Sequence, residues 1–331
     1  MKTFELWHIS AEKSEIREKN LPEVMENQVL IQSVFSLISL GTERLVAKGQ
    51  IPLGIWKEMQ VPYMEGSFSL PCKYGYSLVG QVLEGPDDFR GRMVHLMHPH
   101  QDFARVDTQS VYIIPDGIPP LRAAFASNLE TAITAIWDSE ISVGDSILVV
   151  GFGLIGALIA LVASMIPGMK VIVHETNQNR RTLASEMGFE LLPDGLPEGT
   201  FDASFNTSAD GSGLQLCIDN TGSENPVVDV SFYGSSEVSV KLGTNFHTGR
   251  KRIIASQVSH IPGKRMNHWD ILRRRQLAFE LLKNDRYDSL LGINIPFKET
   301  PGFFDVVRNG TIEAISAIIN YQIKPNHNVL R

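Results

Sequence analysis

The stretch Ser146-Ile-Leu-Val-Val150-Gly151-Phe-Gly153-Leu-Ile-Gly156-Ala-Leu-Ile-Ala-Leu-Val-Ala-Ser-Met-Ile166 decides the fold. A short apolar run rich in β-branched residues ends at Val150, as in a strand buried on both faces. Gly151 permits a tight turn, Gly153 lets backbone N–H groups approach a pyrophosphate, and Gly156 lets a helix pack against the strand. The helix N-terminus then turns its positive end to the phosphates. A third apolar run, residues 170–173, leads to Glu175, 24 residues past Gly151. An acid at roughly 20 residues is where an adenine-ribose hydroxyl is taken. This order predicts a dinucleotide site contacted by Gly151, Phe152, Gly153, Leu154, Ile155, Gly156, Glu175, Asn177 and Arg180.

Residues 147–166 are apolar enough to resemble a membrane span. Three glycines within six residues make strand plus buried helix the better account, so no membrane partner is expected. Met1-Lys-Thr-Phe-Glu5 has no signal-peptide pattern. With 331 residues the chain has room for two domains. A net charge of −7 argues against nucleic-acid binding. The basic runs Arg250-Lys-Arg252 and Arg273-Arg-Arg275 read as surface features, the second as a solvated helix face. Cys72 and Cys217 form no metal-type pair, and free thiols in a cytoplasmic protein are expected.

Residues 1–120 read as β-rich, with strands at 29–35, 78–83, 92–96 and 110–114. Residues 49–71 are irregular and apolar; a lid, contact with a bulky or apolar substrate, a packing role or a dimer contact each explains them. After Pro115-Asp-Gly-Ile-Pro-Pro120 comes a helical pattern at 121–139. Strands at 147–150, 171–173, 203–206 and 227–233 then alternate with helices at 157–166, 180–187 and 213–220. The expectation is an α/β fold with a doubly wound parallel sheet. An amphipathic helix at 266–284, a strand at 294–297 and a helix at 302–308 close the chain. The expected division is 129–256 for a Rossmann dinucleotide-binding domain and 1–128 with 257–331 for a catalytic domain. The active site is expected in the cleft between them.

The arrangement resembles the medium-chain dehydrogenase/reductase superfamily of alcohol and threonine dehydrogenase type. The resemblance rests on Ile38-Ser-Leu-Gly-Thr-Glu43, Gly75-Tyr-Ser-Leu-Val-Gly-Gln-Val82, Ile113-Ile-Pro-Asp-Gly117, Glu130-Thr-Ala132, Gly144-Asp-Ser-Ile-Leu-Val-Val-Gly151, and Ile295-Pro-Phe297 with Gly302-Phe-Phe-Asp305. The Ser-x-Gly-Thr-Glu and Tyr-Gly-Tyr-Ser forms resemble a subgroup related to bacteriochlorophyllide dehydrogenases. The resemblance implies a GroES-like catalytic domain and hydride transfer with a nicotinamide cofactor.

Zinc members of the superfamily bring Cys, His and Cys or an acid to the metal. Here the first ligand position maps to Ser39, Gly-His-Glu becomes Gly75-Tyr76-Ser77, and the third falls near Ser127 or Asn128. The relay hydroxyl maps to Gly41, with Thr42 adjacent, and the four-cysteine lobe is absent. Neutral hydroxyl and amide groups bind Zn²⁺ poorly, so a zinc-free site is expected.

Without zinc, a hydrogen-bond donor must meet the charge that develops on the substrate oxygen. Tyr76 and Ser39 occupy the vacated positions, although Tyr76 equally reads as a filler of that space. In His95-Leu-Met-His98-Pro-His100-Gln-Asp102, His100 is a proton-donor candidate and Asp102 its orienting partner. Structural histidines, or a replacement metal site on His98, His100 and Asp102, remain open. Glu43 and Arg44 contact substrate or pair with each other. The candidate catalytic set is Ser39, Thr42, Tyr76, His100 and Asp102.

Glu175 favours NAD(H), since a carboxylate repels a 2′-phosphate. Arg180 and Arg181 keep NADP(H) as the alternative. Thr207 and Ser208 are expected near the adenosine half, and Tyr233 and Thr131 near the nicotinamide. The leading reading is a zinc-independent NAD(P)(H)-linked oxidoreductase acting on a small-molecule substrate, an alcohol, carbonyl or activated alkene. The alternatives are a non-catalytic nucleotide-binding sensor and a dehydrogenase with unusual metal ligands. A homodimer through strands 227–233 and 238–242 is the expected assembly.

Overall fold

Six strands pair in parallel in the order Glu190–Leu191, Lys170–His174, Ser146–Val150, Ala203–Asn206, Pro226–Asp229 and Arg252–Ala255. They belong to a computed structural model that describes residues 1–193, 195 and 198–323. Ile147, Leu148 and Val149 are fully buried, which is why that strand is apolar on both faces. The helices Leu154–Ser164, Gln178–Glu186 and Gly211–Asn220 form the crossovers. Cys217 lies in the core with Leu148, Val150, Ile172 and Phe201, and burial pushes its thiol pKa well up. No described helix is long and apolar enough to cross a membrane.

This sheet belongs to a unit spanning residues 128–290, and the chain leaves it at Leu291 rather than near residue 257. The reason is electrostatic as well as apolar. Helix Ile271–Leu281 turns two of its arginines inward onto helix Ala126–Ser139. Arg274 Nε and Arg275 Nε donate to the Glu130 carboxylate at 3.3 and 2.9 Å, and Arg274 Nη1 donates to Thr134 Oγ1 at 2.9 Å. All three charged groups are buried. Arg273-Arg-Arg275 is therefore not a solvated face, because only Arg273 is exposed. The helix is also shorter than its amphipathic pattern, since Asp270 caps it by accepting from the Arg273 N–H at 2.7 Å. Residues 238–242 form no strand, and the strand expected at 227–233 stops at Asp229, so Arg252–Ala255 is the sheet edge.

The other unit comprises residues 1–127 and the described residues from Leu291 onward. A seven-stranded sheet runs Ile293–Pro296, Ala317–Asn320, Gln28–Ile38, Leu78–Glu84, Met93–Leu96 and Val111–Ile113, with Phe103–Asp107 also paired to Gln28–Ile38. A smaller sheet is built on the hairpin Lys2–Ser10 and Lys13–Asn20. Residues 49–71 fold on themselves: Trp56 Nε1 donates to Ile51 O at 2.9 Å and its ring meets buried Phe68 at 6.2 Å.

Two histidines of this unit are structural. His98 Nδ1 donates to Pro99 O at 2.8 Å, and the ring stacks on Tyr63 at 5.0 Å. His8 Nδ1 lies 2.9 Å from Ser14 Oγ, and its ring meets Phe304 edge-on. Burial, with Arg308 nearby for His8, holds both at about 3 against an ordinary 6.5. The unfolded chain therefore takes up two protons near pH 6.5 that the folded chain refuses until about 3. Stability is expected to be intact above that upper value and to fall as pH drops through the window. Urea midpoints measured between neutral and mildly acidic pH check this; an unchanged midpoint contradicts it.

Candidate active site

The glycine turn is sterically committed. Gly151 has φ 92°, and a side-chain carbon on Gly156 would stand 2.0 Å from the Gly151 carbonyl oxygen. Thr207 Oγ1 donates to that oxygen at 2.8 Å. Helix Leu154–Ser164 starts at Gly153 with no side-chain cap, which leaves its first amides aimed outward from the turn. Glu175 is buried, and its carboxylate accepts the Phe152 N–H at 2.7 Å and those of Thr176 and Asn177 at 2.7 and 2.8 Å. The acid thus ties the glycine turn to the next strand end, a role its spacing did not reveal. Oε1 also accepts weakly from Thr176 Oγ1 at 3.4 Å, whereas among the described residues Oε2 accepts only from Phe152, so capacity for a ribose hydroxyl remains at Oε2.

The neighbours sort by what their side chains do. Phe152 is core, edge-on to Phe189 at 5.8 Å. Leu154 and Ile155 are half-buried in the helix start. Asn177 caps the next helix by accepting from Arg180 N–H at 3.1 Å. Arg181 donates to Glu175 O at 3.0 Å, while Arg180 Nη1 lies 4.0 Å from the point where a Gly153 side chain would begin. Arg180 therefore covers the glycine turn. At the ends of the next strands, Ser208 Oγ donates to Asn206 Oδ1 at 2.7 Å, and Asn206 Nδ2 donates to Tyr233 Oη at 2.8 Å. Tyr233 in turn donates to Asp229 Oδ2 at 3.0 Å; burial and that carboxylate raise its pKa. Thr131 is half-buried on helix Ala126–Ser139.

The second constellation lies in the first unit. Ser39 starts helix Leu40–Ala47, and its N–H donates to Glu43 Oε1 at 2.8 Å. A carboxylate at a helix N-terminus is favoured by the helix dipole. Burial, followed by the Glu43 charge, pushes the Tyr76 phenol pKa up to about 12, while the nearby Ser39 and Thr42 side chains act to lower it. Thr42, rather than Gly41, therefore supplies the hydroxyl beside Tyr76. Glu43 Oε2 lies 2.8 Å from His100 Nε2, with both side chains fully buried. Gly75, at φ 137°, leaves room for that ring: a side-chain carbon there would stand 2.9 Å from His100 Nε2.

Three expectations fail here. Asp102 does not orient His100; its Oδ1 accepts from Thr3 Oγ1 at 2.8 Å and Phe4 N–H at 2.7 Å, tying down the first strand. Glu43 does the orienting instead. Arg44 does not pair with Glu43; it is exposed and its Nε donates to Arg308 O at 3.3 Å. His98, His100 and Asp102 do not converge, and no three His, Cys, Asp or Glu side chains among the described residues form a metal-type group. His95 Nε2 instead lies 3.0 Å from Ser77 Oγ. At the positions the resemblance maps to zinc ligands, Ser39 and Tyr76 carry neutral hydroxyls, and Ser127 Oγ donates to Tyr76 O at 2.9 Å. Such donors do not fit Zn²⁺.

No family model matches the chain. L-threonine 3-dehydrogenase of Chelativorans sp. is 29% identical over 153 residues, covering 42% of this chain and 44% of that protein. The chain's matches span about half the length, or less, of the curated relatives. L-idonate 5-dehydrogenase from Escherichia coli superposes with a TM-score of 0.77 at 16% identity, covering 97% of this chain and 99% of that one. Acetophenone reductase from Geotrichum candidum, solved with NAD, gives 0.75 at 14% identity, covering 96% and 97%. The chain shares the fold of these dehydrogenases.

Proposed function

We propose that this chain is an NAD(P)-linked oxidoreductase of the medium-chain type that works on an alcohol, carbonyl or activated alkene without zinc. The observation that carries the reading is the Tyr76 phenol, standing where the resemblance puts a zinc-binding histidine, near the Ser39 and Thr42 hydroxyls and the Glu43 carboxylate; burial and Glu43 push its pKa up to about 12. Such a phenol stays protonated at neutral pH and can donate to an oxygen that gains negative charge. A bound nicotinamide supplies or takes the hydride. In reduction Tyr76 gives its proton to the substrate oxygen; in oxidation it takes one back. Ser39 and Thr42 hold the phenol in place. The amides of the Gly151–Gly156 turn receive the pyrophosphate, and Glu175 accepts a ribose hydroxyl, which favours NAD(H). Pairing of two copies along the Arg252–Ala255 edge is the corresponding assembly.

The direct test is oxidation of NADH and NADPH with a panel of aldehydes, ketones, quinones and enones, alongside elemental analysis of the pure protein. Turnover without stoichiometric metal supports the proposal. Turnover that requires zinc overturns the zinc-free part, and cofactor binding with no turnover on any compound favours a sensor.

Arg180 distinguishes two ways of holding the cofactor. Its place over Gly153 favours contact with the pyrophosphate over contact with a 2′-phosphate. Arg180→Ala is expected to weaken NADH and NADPH alike, by about tenfold, the loss of one charge-assisted hydrogen bond. Fluorescence titration checks this; weakening of NADPH alone contradicts it.

A further inference from the structure

A cavity of about 250 Å³ opens within the first unit, and none of Ser39, Thr42, Tyr76 and His100 lines it. It lies where the end of the strand Lys13–Asn20 meets residues 63–65 and the strand Phe103–Asp107. Its volume is that of about eight waters, room for a molecule much smaller than a dinucleotide.

Four of the charged groups around it cancel one another. Lys73 is buried, and its ammonium spends three donors on Glu5 Oε1 at 2.7 Å, Glu65 Oε1 at 2.9 Å and Gln101 Oε1 at 3.0 Å. Lys19 Nζ donates to both Glu65 oxygens, at 2.6 and 2.7 Å. Arg105 is the surplus. Ala104 and Val106 on either side of it are buried in the core, so its side chain leaves the opposite face of the strand and lines the cavity. Its Nη1 donates to the neutral Glu23 O at 2.8 Å, and no carboxylate pairs with it among the described residues. Three cations thus stand against two carboxylates, and the cation left over has guanidinium N–H groups to spare.

The rest of the lining is less polar. His98 is held by the bond from its Nδ1 to Pro99 O, so the nitrogen it can offer an occupant is Nε2, which carries the lone pair of the neutral ring. Tyr63 stacks on that ring with its backbone in the left-handed region, at φ 62°. A bulky residue keeps such a conformation only where its surroundings fix it. Here Tyr63 Oη donates to Ser110 Oγ at 3.0 Å and accepts from the Asp107 N–H at 3.2 Å. Leu21, Pro22 and Met64 extend the apolar wall.

We propose that this cavity binds a small hydroxylated organic monocarboxylate, with Arg105 on the carboxylate, His98 Nε2 accepting from the hydroxyl and Tyr63 against the carbon skeleton. One surplus positive charge matches one negative charge, and a guanidinium fork matches a planar carboxylate. A neutral alcohol would leave Arg105 unpaired. Inorganic phosphate would leave the apolar wall and the His98 lone pair without a complement.

The test is calorimetric titration of the full chain, without nucleotide, with hydroxybenzoates, mandelate and lactate, against benzoate, phenol and inorganic phosphate. Saturable binding of at least one hydroxylated carboxylate is expected, about tenfold tighter than benzoate and tighter still than phenol or phosphate. Arg105→Gln should weaken that ligand by at least about tenfold, and Arg105→Lys by less, since it keeps the charge and loses the fork. Thermal melting checks that both variants remain folded. His98→Phe keeps a ring against Tyr63 and should reduce the hydroxylated ligand to the affinity of benzoate. No binding of any hydroxylated carboxylate overturns the proposal. So does phosphate or benzoate binding as tightly, full affinity in Arg105→Gln, or a hydroxyl preference that survives His98→Phe.

Discussion

Tyr76→Phe is expected to lower kcat by about 10²- to 10³-fold, within the usual contribution of a positioned general acid. The substitution removes one oxygen and leaves the ring, which packs edge-on against Tyr74 at 6.0 Å. Ser39 and Thr42 remain hydroxyls at a helix start, where backbone groups and solvent can satisfy them. The loss should therefore fall on kcat and kcat/KM together, with cofactor affinity unchanged. Because burial and Glu43 push the phenol to about 12, the wild-type rate should show no decline from Tyr76 ionisation up to pH 10. Steady-state kinetics with NADH and the best carbonyl substrate decides this. A variant within twofold of wild type would return Tyr76 to the role of space filler.

The second large effect concerns the glycine turn. Gly156→Ala places a carbon 2.0 Å from the Gly151 carbonyl oxygen and 2.7 Å from Thr207 Oγ1, both of which fix the turn. Neither neighbour is the free end of a flexible side chain. The turn must open, and its amides then lose their common focus on a phosphate. Dinucleotide affinity should fall at least about 100-fold, or roughly 3 kcal/mol, with a stability cost of about 1–3 kcal/mol from overpacking. Gly54→Ala is the control, because nothing lies within 4 Å of its added carbon. Calorimetric titration of both variants with NADH measures the difference; equal affinities would contradict the steric account.

The parallel sheet was legible because its strands are buried on both faces and separated by glycine turns and helical runs, signals that need no distant partner. The hairpin Lys2–Ser10 and Lys13–Asn20 was missed because Lys13–Asn20 is mostly charged and only Ser14 in it is buried. The strand Ala317–Asn320 is four residues long and acquires its meaning by pairing Ala317 with Ile38. The candidate site divides along the same line. Tyr76, Ser39 and Thr42 stood out by their place in a local motif. Asp102 looked like the partner of His100 because it is two residues away, whereas Glu43 is 57 residues away and nothing local announces it. In the same way Arg274 and Arg275 looked solvated until Glu130, 144 and 145 residues earlier, supplied the countercharge. A buried charge is stable only when paired, and the pairing is a property of the fold.

Isothermal titration of the pure full-length chain with NADH, NAD⁺, NADPH and NADP⁺ tests the central claim most directly. Saturable binding of one nicotinamide dinucleotide per chain, lost in Gly156→Ala, is the predicted result. Absence of binding for all four, by a protein shown to be folded, would contradict the account at its base.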